Sequence, residues 1–146
     1  MADTKVRSAP AEALPSSAQE VVRPVRANVL LVDDKPGRLL AYEAMLAGLE
    51  VTCVKADCGS KALERLLERQ FAVVLLDVRM PDIDGFEVAK LMRRHPRYGR
   101  TPIIFVTAAD ASELDLVKGY GLGAIDYLSM PIAPGVLRSK VAGGTL

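Results

Sequence analysis

The chain has no tryptophan, three phenylalanines, two cysteines and a single histidine. Cys53 and Cys58 form no CxxC pair, which argues against a zinc ribbon, and two reduced thiols are expected. His95, placed before a proline at a helix end, is expected at the surface rather than in a relay of phosphate. Excess charge is lacking too: the formal net charge is +1. No basic stripe stands out, so no direct nucleic-acid partner is expected. The closest approach, Arg93, Arg94, Arg97 and Arg100, reads as a solvated helix end and loop. No apolar run reaches transmembrane length and the N-terminus has no signal-peptide core, so no membrane partner is expected and the cytoplasm is the expected location.

What is present is a globular composition, 50% hydrophobic and 25% charged over 146 residues, enough for one domain and a tail. Residues 1–26, rich in Ala, Pro, Ser and Val, read as a flexible N-terminal tail, with a short helix around Ala11 to Val22 as an alternative. From there strand and helix alternate. Asn28 to Val32 is a strand, followed by a helix with Leu39, Tyr42, Leu46 and Leu49 on its inner face. Val51 to Lys55 is a second strand, and Asp57-Cys58-Gly59-Ser60 offers caps for a helix whose inner stripe is Leu63, Leu66 and Leu67. The apolar run within Phe71 to Asp77 reads as a strand buried on both faces. A helix over Asp84 to Arg94, a strand over Pro102 to Val106 and a helix over Ser112 to Gly121 follow. Ala124 to Ser129 is a fifth strand, and a helix from Pro134 is expected to stop near Val141, cut off by Gly143-Gly144. The folded domain then spans 27–141, with 142–146 disordered. Five such units predict an α/β fold: a flavodoxin-like, doubly wound, five-stranded parallel sheet in the order 2-1-3-4-5, with helices on both faces.

In that order the switch point falls between strands 1 and 3, where ligands bind in open α/β sheets. Strand 1 ends in Asp33-Asp34 and strand 3 in Asp77. Three carboxylates gathered there cannot all stay ionised without a cation, and hard oxygens in a wet cleft suit Mg²⁺. A carboxylate beside such a metal can attack a phosphoryl group, and Thr107, at the neighbouring strand end, could donate its hydroxyl to a phosphoryl oxygen. Singly, each of these residues is ordinary at a strand end or turn; their joint placement carries the reading.

Asp33-Asp34, Asp77 followed by MPDIDG, Thr107-Ala108 and GAIDYLSMPI at Gly123 to Ile132 together resemble the receiver domain of two-component response regulators, over about Asn28 to Val141. The resemblance implies that Asp77 is the phosphoacceptor, taking a phosphoryl group from a histidine kinase or phosphotransfer protein. It implies Mg²⁺ held directly by Asp34 and Asp77, through water by Asp33, and by the backbone carbonyl of Arg79. It makes Thr107 the switch hydroxyl, Tyr127 the aromatic switch and the bond before Pro131 cis. The partner face would be the fourth helix, fifth strand and fifth helix, open to an effector domain, a partner protein or a homodimer contact.

One position departs from the family pattern. Met130 stands where a lysine is usual, and a thioether cannot pair with a carboxylate or a phosphoryl oxygen. Three carboxylates against one divalent ion then leave a negative charge uncompensated. Arg79 and Lys35 are nearby cations, though solvent is the expected place for both. The leading expectation is a phosphoaccepting signalling module, itself no separate enzyme and compatible with a place in a hybrid histidine kinase. The alternative is a phosphorylation-independent interaction scaffold. A Mg²⁺-dependent phosphatase is less favoured, because that chemistry expects a D-x-D motif and Asp33-Asp34 are adjacent.

Overall fold

A computed structural model describes residues 26–108 and 113–145, the side chains of 113 and 114 excepted. The apolar runs form β1 (Ala27–Val32), β2 (Val51–Ala56), β3 (Val73–Asp77), β4 (Ile103–Thr107) and β5 (Ala124–Ser129). Between and after them lie α1 (Pro36–Met45), α2 (Gly59–Glu68), α3 (Gly85–Arg94), α4 (Glu113–Gly121) and α5 (Pro134–Thr145). The strands make one parallel sheet in the order β2-β1-β3-β4-β5, as the alternation predicts. Every residue of β3 and β4 is buried, whereas the edge strands β2 and β5 carry exposed polar residues such as Lys55 and Ser129. That contrast is what central and edge positions require.

Side-chain alternation sends successive strand residues to opposite faces. Val29, Leu31, Val73 and Leu75 pack with Leu39 and Tyr42 of α1 and with Leu137 and Val141 of α5. Leu30, Val74, Ile103 and Phe105 pack on the other face with Ala62 and Leu66 of α2 and Phe86 and Met92 of α3. Helix α3 has the clearest end signals: the Asp84 carboxylate accepts from the Glu87 N–H at 2.9 Å, and Arg93 and Arg94 occupy the last turn.

Several local expectations change. Helix α5 runs through Gly143-Gly144 to Thr145, so residues 142–145 are helical rather than disordered. The glycine penalty of about 1 kcal/mol each is outweighed by tertiary packing: Val141 is fully buried, and a Cβ on Gly144 would stand 3.5 Å from Val73. In α2 the inner stripe is Gly59, Ala62 and Leu66, with Leu63 partly buried and Leu67 half exposed. No side chain caps the α2 N-terminus at Cys58. Arg93 is not solvated. Its guanidinium donates to the carbonyls of Leu122, Gly99, Thr101 and Gly123 at 2.6–3.1 Å, tying the α3–β4 loop to the α4–β5 turn. His95 is half-buried and stacks on Tyr98 with ring centroids 4.1 Å apart. The N-terminal tail, the short helix considered within it and the start of the fourth helix at Ser112 lie outside the described residues. Arg26 is the exception in the tail, donating to the Val51 carbonyl at 2.7 Å.

Candidate functional site

The carboxyl ends of β1 and β3 are neighbours in the sheet, with Val32 registered on Leu76. Asp33 and Asp77 come one residue later on each strand, and Asp34 follows in the loop. One carboxylate oxygen from each lies within 4.8 Å of the others. The spacing suits a shared divalent ion. Asp33 is fully buried and its oxygens are already engaged: Oδ1 accepts from the Lys35 N–H at 3.0 Å, and Oδ2 accepts from the Tyr42 hydroxyl at 2.8 Å.

Asp77 is 4% exposed. Its Oδ1 accepts from the Arg79 N–H at 3.3 Å, while its Oδ2 has no hydrogen bond among the described residues. Burial and then the Asp33 carboxylate raise its carboxyl to about 6, against the Arg79 N–H and Arg38, which lower it; Asp34 adds a further, smaller push upward. Thr107 ends β4 beside it, also 4% exposed, and its hydroxyl has no hydrogen-bond partner among the described residues; Asp34 Oδ1 is a third buried oxygen in that condition. Buried polar atoms are seldom left unpaired. These oxygens stand on three neighbouring segments at the carboxyl end of the sheet, and hard carboxylate oxygens of this kind fit Mg²⁺.

The cleft has a volume of about 440 Å³ and is lined by Lys35, Arg38, Asp77, Arg79, Thr107, Ala108, Met130 and Pro131. Met130 is half-buried on its wall, and its N–H donates to the Thr107 carbonyl at 2.9 Å. The Met130–Pro131 bond is cis, as expected. The Arg79 side chain is exposed, and Lys35, 58% exposed, reaches only to 3.9 Å from Asp34. Tyr127 stands apart from the cleft. Register places it beside Phe105, two residues before Thr107 on the same face of β4. Its ring packs on Phe105 and Tyr120, and its hydroxyl donates to the Asp115 carbonyl at 2.6 Å. Gly119 makes room for it, since a Cβ there would fall 1.7 Å from the Tyr127 hydroxyl.

Two members of the site escape a reading of the sequence. Tyr42, taken as a packing residue of α1, orients Asp33; burial and then Asp33 itself push its phenol well above the usual range. Arg38 places Nη1 at 3.6 Å from Asp33 Oδ2 and 3.8 Å from Asp77 Oδ2. Position i and i+4 on α1 was the available signal, since it puts Arg38 and Tyr42 on one side of the helix. A Tyr42→Phe variant is expected to lose about 1.5–3 kcal/mol, the worth of a hydrogen bond to a buried charge. Urea unfolding at neutral pH measures it, and a loss below about 0.5 kcal/mol counts against the Tyr42–Asp33 bond.

Comparison with known proteins places the chain in a family. The family described as "Response regulator receiver domain" matches residues 29–142, and the chain belongs to that family. The signal transduction histidine-protein kinase BarA of Escherichia coli is 36% identical over 105 residues, 71% of this chain and 11% of BarA. The transcriptional regulatory protein GltR of Pseudomonas aeruginosa is 37% identical over 116 residues, 78% of this chain and 47% of GltR. The chain thus spans from about a tenth to about half of these relatives. Among solved structures, the chemotaxis protein CheY4 of Vibrio cholerae superposes with a TM-score of 0.76 at 28% identity, covering 82% of this chain and 98% of CheY4. A response regulator receiver protein from Pseudomonas putida gives 0.77 at 26% identity, covering 83% and 99%.

Proposed function

We propose that this receiver domain accepts a phosphoryl group on Asp77, with Mg²⁺, from a histidine kinase or phosphotransfer protein, and passes the change to a partner-binding face. The observation that carries the reading is the buried Asp77 carboxylate, set within a three-carboxylate cluster, on a residue that lines the cleft, with an Oδ2 that has no hydrogen-bond partner among the described residues. Asp34 and Asp77 would hold the ion directly, Asp33 through water, and the Arg79 carbonyl would complete the protein ligands. Bound there, Mg²⁺ supplies neutralisation of the charge on the transferring oxygens.

The chain's own residues do the rest. An Asp77 oxygen forms a bond to phosphorus as the P–N bond to the donor imidazole breaks, and the bonding pair stays on that nitrogen, which takes a proton from solvent. Tyr42 and the Lys35 N–H hold Asp33 in place. Thr107, with no competing partner among the described residues, can turn its hydroxyl to a phosphoryl oxygen. Tyr127, on the same face of the sheet, is the side chain that responds. Val117, Tyr120, Ile125 and Val136 expose apolar surface on α4, β5 and α5, the place for an effector domain, a partner protein or a second copy of the chain. The domain from β1 to the end of α5 at Thr145 forms the working unit, and the cytoplasm is its proposed location. Among the described residues no helix is long and apolar enough to cross a membrane.

Incubation with MgCl₂ and acetyl phosphate is expected to add a single phosphate mass, absent in Asp77→Ala and absent with EDTA. Met130, on the cleft wall where a cation is usual, favours the second reading, a scaffold that works unphosphorylated. A wild-type protein that binds Mg²⁺ yet takes no phosphate would establish that one instead.

A further inference from the structure

We infer that Arg38 supplies the cationic group that Met130 cannot, pairing with the acceptor carboxylate and then with the transferred phosphoryl oxygen. The inference rests on Asp77 being the phosphoacceptor. Asp33 and Asp77 continue the strand positions that face α1 and α5, so α1 is the helix from which a side chain can reach both. Arg38 sits in the first turn of α1, where its own N–H and that of Leu39 both donate to the Lys35 carbonyl. That fixes the helix start, and with it the root of the guanidinium, next to the acid pair. Among the described residues, Arg38 is the one Lys or Arg whose charged group lies within 4.0 Å of the Asp77 carboxylate, and it lines the same cleft as Met130.

Charge and geometry both fit the role. Three carboxylates and one divalent ion leave a single negative charge, which one guanidinium cancels. At 3.8 Å from Asp77 Oδ2 the pair is ionic but short of a hydrogen bond, so the donors of Arg38 are not used up on the carboxylate. A planar fork of donors one-third open to the cleft is suited to phosphoryl oxygens. Lys35 and Arg79 are worse placed. Both line the cleft as well, but the Lys35 side chain is 58% exposed with its ammonium 3.9 Å from Asp34, Arg79 is exposed, and among the described residues neither brings its charged group within 4.0 Å of the Asp77 carboxylate.

The test compares wild type, Arg38→Gln, Met130→Lys, the Arg38→Gln/Met130→Lys double variant and Asp77→Asn. Adduct formation from acetyl phosphate is followed by intact mass at saturating MgCl₂; in that step an Asp77 oxygen bonds to phosphorus as acetate leaves with the P–O bonding pair. Arg38→Gln is expected to slow it about a hundredfold, and adding Met130→Lys is expected to restore most of the rate. Rescue from a position far away in sequence is a result that a merely structural role for Arg38 does not give. Calorimetric titration with MgCl₂ alone is expected to show several-fold tighter binding in Arg38→Gln, because no guanidinium then competes for the carboxylates. An Arg38→Gln variant that is phosphorylated at the wild-type rate, a double variant as slow as the single one, or an unchanged Mg²⁺ affinity overturns the inference while the acceptor reading stands. A wild-type protein no more reactive than Asp77→Asn overturns the acceptor reading, and this inference with it.

Discussion

A Gly85→Ala variant is expected to lose about 3 kcal/mol of stability and most of its affinity for Mg²⁺. Gly85 opens α3 directly under the site, where its N–H donates to the Val78 carbonyl at 2.9 Å. A Cβ there would fall 2.3 Å from the Asp77 carbonyl oxygen and 2.9 Å from Val78 Cα. Both are backbone atoms, so no rotamer change relieves the clash, and the helix and the end of β3 must separate. Contrast Gly59, whose Cβ would meet side-chain rather than backbone atoms, those of Ile83 and Val88 at 2.4–2.8 Å. For a domain of this size the loss lowers the thermal midpoint by about 10 °C. Calorimetric scanning of both alanine variants, with and without MgCl₂, measures it. A Gly85→Ala protein within about 2 °C of wild type contradicts the close approach of α3 to β3.

Without divalent metal, Asp77→Asn is expected to be more stable than wild type at pH 7.5 and no more stable near pH 4. The Asp77 carboxyl ionises at about 6 in the folded chain against 3.8 in the reference state. A raised folded value means that the group favours folding while protonated, and that this contribution disappears as pH climbs through about 6. The amide cannot ionise, so the variant escapes the penalty, which is at most about 3 kcal/mol. A gain of about 1–3 kcal/mol should appear in denaturant unfolding in EDTA. Millimolar MgCl₂ should narrow or reverse the difference, since a hundredfold excess over the dissociation constant stabilises the binding-competent protein by about 2.7 kcal/mol. A variant that is less stable than wild type at pH 7.5 in EDTA would mean that ionised Asp77 is already well compensated in the apo protein.

The sheet was legible because its strands are short Val, Leu and Ile runs that end in turn residues, and alternation with helices leaves few topologies. The acids were legible because each stands at the carboxyl end of such a run. Arg38 and Tyr42 were not. On a helix, an arginine reads as solvent-facing and a tyrosine as packing, and their i, i+4 spacing shows that they share one side of α1 but not that this side meets Asp33. Arg93 failed for a related reason: charge predicts exposure unless the carbonyls it satisfies are known, and those lie up to 30 residues away in the chain. In α5 the Gly143-Gly144 pair carried a true local preference. Val73 and Ile125 beneath it, contributed by other parts of the fold, overrode that preference.

The Arg93 bonds bear on how the domain can be cut and rejoined. The two ends of the sheet are built unlike each other: the carboxyl end gathers the carboxylates of Asp33, Asp34 and Asp77, while at the amino end one side chain gathers four carbonyls from two loops. A circular permutation that opened the turn at Leu122-Gly123, or an insertion of a reporter there, would strip that cation of partners on one side and loosen β5 from β4. Lysine at position 93 would not mend it, having three donors on a single nitrogen in place of a planar fork. New termini or fused sensors therefore belong away from this turn, however exposed Gly121 and Gly123 look on the surface.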